Sequence, residues 1–136
     1  MKRLLIYGCL LVVLTGAMWS FGQVRLAAFE IRNEGSDFII TWSTEIEEDV
    51  RAFEIQRRTT SSNDQFVKIH TISGQGPGQS YSYRDSQVFK SSSDRLDYRL
   101  DVVYENGVRE AIRDESMNFT STAVRRTWGS LKAMFQ

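Results

Sequence analysis

Two stretches of this chain read as strands with one buried face. In Phe38-Ile39-Ile40-Thr41-Trp42-Ser43, the residues Phe38, Ile40 and Trp42 share one face, and Ile39, Thr41 and Ser43 share the other. In Leu96-Asp97-Tyr98-Arg99-Leu100-Asp101-Val102, the four apolar and aromatic side chains point one way and the charged ones point the other. A sheet with one apolar face must bury it against a second layer. The two runs are therefore expected to meet across a dry core with Trp42 as its anchor.

Turn chemistry divides the body of the chain into seven strand candidates. Val24 to Arg32 comes first, with Leu26 and Ile31 as core residues, and Asn33-Glu34-Gly35-Ser36 follows as a turn. The second strand spans Asp37 to Thr44, and the acidic Glu45 to Asp49 reads as a solvated connection. Val50 to Arg58 is the third. The fourth, Gln65 to Ser73, places Phe66, Ile69 and Ile72 at every third position, which a regular strand cannot turn to one face, so a bulge or bend is expected. Gly74 to Gly78 reads as a flexible loop holding the only proline. Ser80 to Arg84 is the fifth strand, with Tyr81 and Tyr83 on one face. The sixth carries Leu96 to Val102, and Asn106-Gly107 is a hairpin signal that pairs it antiparallel with Val108 to Arg113.

The segment from about Val24 to Asn118 resembles a fibronectin type III domain of the form found in secreted bacterial proteins. The residues that carry the resemblance are Ile40-Thr41-Trp42-Ser43, Phe53-Glu54-Ile55-Gln56-Arg57, Phe66-Val67-Lys68-Ile69 before a glycine-rich loop, Tyr81-Ser82-Tyr83-Arg84-Asp85, and Tyr98-Arg99-Leu100 before Asn106-Gly107. The resemblance implies an all-β, seven-stranded antiparallel immunoglobulin-like sandwich used for binding, spacing or adhesion without catalysis. Tyr98 is then the corner residue, its hydroxyl expected to reach a backbone group. The adhesive Arg-Gly-Asp triplet of some family members is absent.

Lys2 and Arg3 followed by the apolar Leu4 to Ala17 read as an export signal over 1–22, too short for a spanning helix. Cleavage after Gly22 is favoured and cleavage after Ala17 also fits; retention as an anchor is the alternative. The sandwich is expected over 23–118, and 119–136 as a linker and helix. Cys9, the only cysteine, lies within the signal, so the mature chain has no disulfide, thiolate nucleophile or cysteine metal site. Basic and acidic residues balance at 17 each, which offers no field for nucleic acid.

In the last segment, Val124, Trp128, Leu131 and Phe135 fall on one stripe of a short amphipathic helix. Such a helix is marginal in water and needs a surface. The candidates are its own sandwich, a groove on a partner protein, or a membrane. These four residues are the expected partner-binding set. Other binding surfaces in reach are the segments Glu45 to Asp49 and Gly74 to Gly78 and a sheet edge.

Reaction chemistry finds little support. His70, the only histidine, has no metal-ligand spacing and no evident serine and acid partners. The acidic Glu45 to Asp49 does not follow a calcium-loop pattern. Gly74 to Gly78 precedes a strand and not a helix, unlike a phosphate cradle. No catalytic, cofactor or metal site is expected. The expected protein is an exported, non-enzymatic module, periplasmic, cell-surface or extracellular, that contacts another envelope or extracellular protein. The alternatives are a membrane-associated envelope component held by its C-terminal helix or uncleaved N-terminus, and a glycan-directed enzyme with paired carboxylates.

Overall fold

The computed structural model describes residues 21–88, 95–118 and 132–135. Seven strands are present among them: β1 (Gln23–Glu34), β2 (Asp37–Glu48), β3 (Val50–Arg58), β4 (Val67–Ser73), β5 (Ser80–Asp85), β6 (Arg95–Tyr104) and β7 (Arg109–Asn118). They form two antiparallel sheets, one in the order β1-β2-β5 and one in the order β4-β3-β6-β7.

The two alternating runs lie in different sheets and face each other. Phe38, Ile40 and Trp42 of β2 and Leu96, Tyr98 and Leu100 of β6 are at most 2% exposed. Ring contacts join the sheets. Phe38 meets Tyr98 at 6.1 Å between centroids, and Trp42 meets Phe53 of β3 edge-on at 5.8 Å while stacking on Tyr81 of β5 at 5.2 Å. Both geometries suit the aromatic quadrupole and add to the burial.

Bulges reconcile the strands whose apolar spacing is irregular. In β4, His70 pairs with Ile55 and Lys68 with Gln56, which leaves Ile69 as an extra residue. That insertion lets Ile69 and Ile72 both pack on the core. Phe66, which precedes the strand, goes to the opposite face, where the Arg58 and Arg99 guanidinium carbons lie 4.6 and 3.9 Å from its ring centroid. In β1, register shifts flank Leu26, so that Val24 and Leu26 before Ala27, and Phe29 and Ile31 after it, pack on the same core.

Two expectations differ from the structure. The acidic segment Glu45 to Asp49 is not a solvated connection: β2 runs on to Glu48, because β1 supplies its ladder partners, with Val24 opposite Glu47 and Gln23 opposite Glu48. The chain turns at Asp49, whose φ is 54°. The last strand starts at Arg109 and continues to Asn118, since β6 offers paired positions along that whole length. At the hairpin, only Gly107 takes positive φ, at 85°, while the Asn106 side chain accepts a hydrogen bond from the Val108 amide.

Candidate functional site

The Gly74 to Gly78 loop holds an anion, and the anion is the chain's own. Glu47, on the inward side of β2, is 8% exposed. Its Oε1 accepts from the backbone amides of Gln75 at 2.9 Å and Gly76 at 3.0 Å. Thr44 Oγ1 donates to its Oε2 at 2.8 Å, and the Tyr81 hydroxyl donates to the same carboxylate. Consecutive amides converging on one oxygen form the anion-binding nest that glycine-rich turns favour. Burial, reinforced by Glu47, pushes the Tyr81 hydroxyl up to about 12, so it remains a donor through the neutral range. The loop, read as free from the sequence, is thereby tied to β2 and β5. Glu47→Ala is expected to speed hydrogen exchange of the Gln75 and Gly76 amides well beyond any change in the β6 amides; equal changes in both would mean that the tie acts only through global stability.

A second carboxylate ties the far end. Asp85, at the end of β5 and 1% exposed, accepts from the Tyr98 hydroxyl at 2.8 Å and from Arg57 Nη1 at 2.6 Å on Oδ2, and from the Gln87 amide on Oδ1. Tyr98 was expected to reach a backbone group; its partner is this side chain, because the inward-facing end of β5 offers a stronger acceptor than a carbonyl already engaged in a ladder. Burial first, and then Asp85, push the Tyr98 hydroxyl far above its ordinary range.

The outer face of β4-β3-β6-β7 is a lattice of charges. Arg99 meets Asp114 through two parallel bonds of 2.8 and 2.9 Å, Arg58 meets Asp97 at 2.7 Å, and Lys68 and Arg109 approach Glu54 at 3.4 and 3.3 Å. Arg99 and Asp114 form an exposed pair worth at most ~1 kcal/mol, whereas Asp97 and Glu54 are buried, at 8% and 6% exposed. Arg99 holds Asp114 below its ordinary range. For Asp97, burial acts upward but is outweighed by hydrogen bonds from Ser116, Arg58 and Arg95, which leave it lowered.

Asp101 is the exception in this lattice. It sits directly across from Glu54, Gln56 Nε2 donates to its Oδ2 at 2.7 Å, and its buried Oδ1 has no partner. Burial raises its pKa above the ordinary 3.8, and Glu54 and Asp114 act the same way against Arg99 and Arg109. A carboxyl raised in the folded state favours folding while protonated and loses that contribution as pH rises through its folded value. Asp101→Asn should therefore gain stability relative to the wild type as pH rises from about 4 toward neutrality, measured by denaturant unfolding at a series of pH values. A difference that stays constant with pH would contradict this. Glu54 and Asp101 are direct neighbours across adjacent strands.

Shallow grooves open to solvent are found among the described residues. One, of about 280 Å³, crosses the outer face of β1-β2-β5 and is lined by small and hydroxylated residues including Ala28, Thr41, Ser43, Ser80 and Ser82, with Glu30 at hand. Another, of about 240 Å³, lies beside the β3–β4 turn, with Val67 and Ile69 as apolar lining and Thr59, Ser61 and Ser62 as hydroxyls. Neither was singled out by sequence reasoning, because each is assembled from residues that look like ordinary strand surface. His70 is exposed and stacks on Tyr83 at 4.4 Å, bridging the β4 and β5 edges. Among the described residues, no group of three or more histidine, cysteine or acidic side chains is placed to hold a metal ion.

Of the expected partner-binding set, Val124, Trp128 and Leu131 lie outside the described residues. Phe135 lies at the end of a short helical turn and is 86% exposed, beside Met134 at 82%. Nothing in the described residues brings the four together. No helix among the described residues is long and apolar enough to cross a membrane.

No family model matches the chain, and no curated protein does. Among solved structures it is similar to wild-type OgpA from Akkermansia muciniphila, with a TM-score of 0.60 and 11% identity over 74% of this chain and 28% of that one. It is similar as well to the pectate lyase PelI from Erwinia chrysanthemi in complex with tetragalacturonic acid, with a TM-score of 0.51 and 22% identity over 66% of this chain and 27% of that one. An Fn3-like protein from Clostridium thermocellum aligns with a TM-score of 0.49 and 16% identity over 74% of this chain and 96% of that one. The chain thus spans less than a third of the OgpA and PelI chains. At these identities, the likeness to OgpA and PelI shows a shared β-sandwich fold.

Proposed function

We propose that this chain is an exported, non-enzymatic module of the fibronectin type III kind that mediates protein–protein or cell-envelope contacts. Seven strands split three and four between two sheets support the fibronectin type III reading. The observation that carries the functional reading is how the buried carboxylates are used. Glu47, Asp85 and Asp97 each accept from donors on more than one strand or loop. These three carboxylates are thereby engaged in fixing the scaffold, which leaves surfaces for recognition. The activities of OgpA and the pectate lyases are not carried over, since this chain corresponds to a minor part of each.

The contact surface in this reading is the C-terminal segment, with Val124, Trp128, Leu131 and Phe135 as anchors in a partner's groove. Affinity capture from the native envelope, comparing the intact chain with one lacking 122–136, tests it. The expected result is a co-purifying protein that is lost on truncation, with the melting temperature unchanged. The same capture by both chains would contradict the assignment, and a large fall in melting temperature would mean that the tail covers its own sandwich.

The exposure of Phe21 at 79%, together with Met134 and Phe135, favours a second reading as a membrane-associated envelope component held through its ends. Full release into the soluble fraction without detergent would exclude that reading.

A further inference from the structure

We infer that the chain self-associates through the open edge of β5, two copies pairing antiparallel about Ser82 so that the β1-β2-β5 sheet continues into the same sheet of the second copy. The pairing goes beyond the contact proposed above and uses none of its residues. Four strands among the described residues lie at sheet edges: β1, β5, β4 and β7. An open edge is a template for another strand, and an inserted residue that bends the edge away is one way of blunting it. Three of the four carry such an insertion. Ala27 of β1, Ile69 of β4 and Ile112 of β7 are each skipped in the pairing with the neighbouring strand. The exception is β5, which matches β2 residue for residue from Asp85 opposite Phe38 to Ser80 opposite Ser43.

The ladder fixes which backbone groups reach outward. Thr44 donates its amide to the Gln79 carbonyl at 3.1 Å, so Gln79 turns its backbone toward β2. Antiparallel pairing alternates from there. Tyr81, Tyr83 and Asp85 turn their amides and carbonyls to β2, while Ser80, Ser82 and Arg84 turn theirs to the open edge. The side chains of these last three are exposed. Charge neither guards this edge nor calls for a charged partner. Arg84 is already matched by Asp37 at 3.0 Å and Glu34 at 2.8 Å, and Asp85 is held inside by Arg57 and Tyr98. A second copy fits such an edge. With a two-fold axis through Ser82, that residue meets its own copy and Ser80 meets Arg84, which uses all three outward-facing residues and keeps the two arginines at opposite ends. Tyr81 then falls opposite Tyr83 of the second copy, a favourable aromatic cross-strand pair. The chain's 17 basic and 17 acidic residues leave no net charge to hold two copies apart. An edge of 6 residues is short, so association is expected to depend on concentration.

Light scattering after size exclusion, with amide hydrogen exchange over the same concentrations, tests this on the full chain against Ser82→Lys and Ser82→Pro. Lysine sets like charges opposite each other on the two-fold axis and changes only an exposed side chain. Proline removes the outward amide, which an edge strand tolerates. The wild-type mass is expected to rise from one chain to two with concentration, and the Ser80, Ser82 and Arg84 amides to slow by about tenfold or more over the same range. Both variants are expected to stay at one chain while unfolding cooperatively. A wild type that stays at one chain up to about 1 mM would overturn the inference. Protection of the three amides at that mass would overturn it too, by showing a segment of the same chain on the edge. A two-chain mass in either folded variant would place the contact elsewhere and overturn it as well.

Discussion

Trp42→Ala is expected to cost about 3–5 kcal/mol, a large fraction of the total stability of a domain this size. The indole is 2% exposed and touches rings from both sheets, so its loss opens a void that neither sheet can close alone. The indole also carries a flaw, for its Nε1 is buried without an acceptor. An unsatisfied buried donor costs roughly 1–3 kcal/mol. Trp42→Phe removes that donor along with part of the volume, so it should cost much less than the alanine change, on the order of 1–2 kcal/mol. Urea denaturation of the three proteins checks the order. An alanine variant as stable as the wild type would place the indole outside the core, and equal costs for alanine and phenylalanine would remove the argument about the indole donor.

Asp85→Ala is the second large effect. It removes one acceptor shared by β3, β5 and β6, and it leaves the Tyr98 hydroxyl and Arg57, whose side chain is only 18% exposed, without their partner. Breaking a buried pair from one side typically costs about 3–5 kcal/mol, because the remaining charge stays desolvated. Tyr98→Phe leaves Asp85 bonded to Arg57 and to the Gln87 amide, so about 1–2 kcal/mol is expected. The double variant should cost less than the sum of the two, since both act on one network. Strict additivity in denaturant unfolding would show that Tyr98 and Asp85 do not interact.

These two effects differ in how legible they were. The role of Trp42 follows from the alternation of its own strand, and the same holds for Phe53, Tyr81 and Leu100, since one buried face dictates period two. The irregular strands were harder to read. Phe66, Ile69 and Ile72 announced a bulge but not its place, which pairing with Ile55 and Gln56 decides and which sends Phe66 to the arginines outside. The acidic run Glu45 to Asp49 looked solvated because local composition carries no sign of Gln75, Gly76 and Tyr81, which lie about thirty residues away and supply the donors for Glu47. Asp85 reads from the sequence only as the end of a strand, for the same reason. The grooves and the orphan oxygen of Asp101 arise from side chains on separate strands and loops, and no one-dimensional pattern encodes them.

The core requires β2 and β6 to lie in opposed sheets with their aromatic faces in contact. Nuclear Overhauser spectroscopy of the folded protein reads this directly. Cross-peaks are expected between the Phe38 and Tyr98 rings, 6.1 Å apart, and between Trp42 and Phe53, 5.8 Å apart. Their absence, with the Trp42 ring protons contacting only residues near it in sequence, would contradict the two-sheet core.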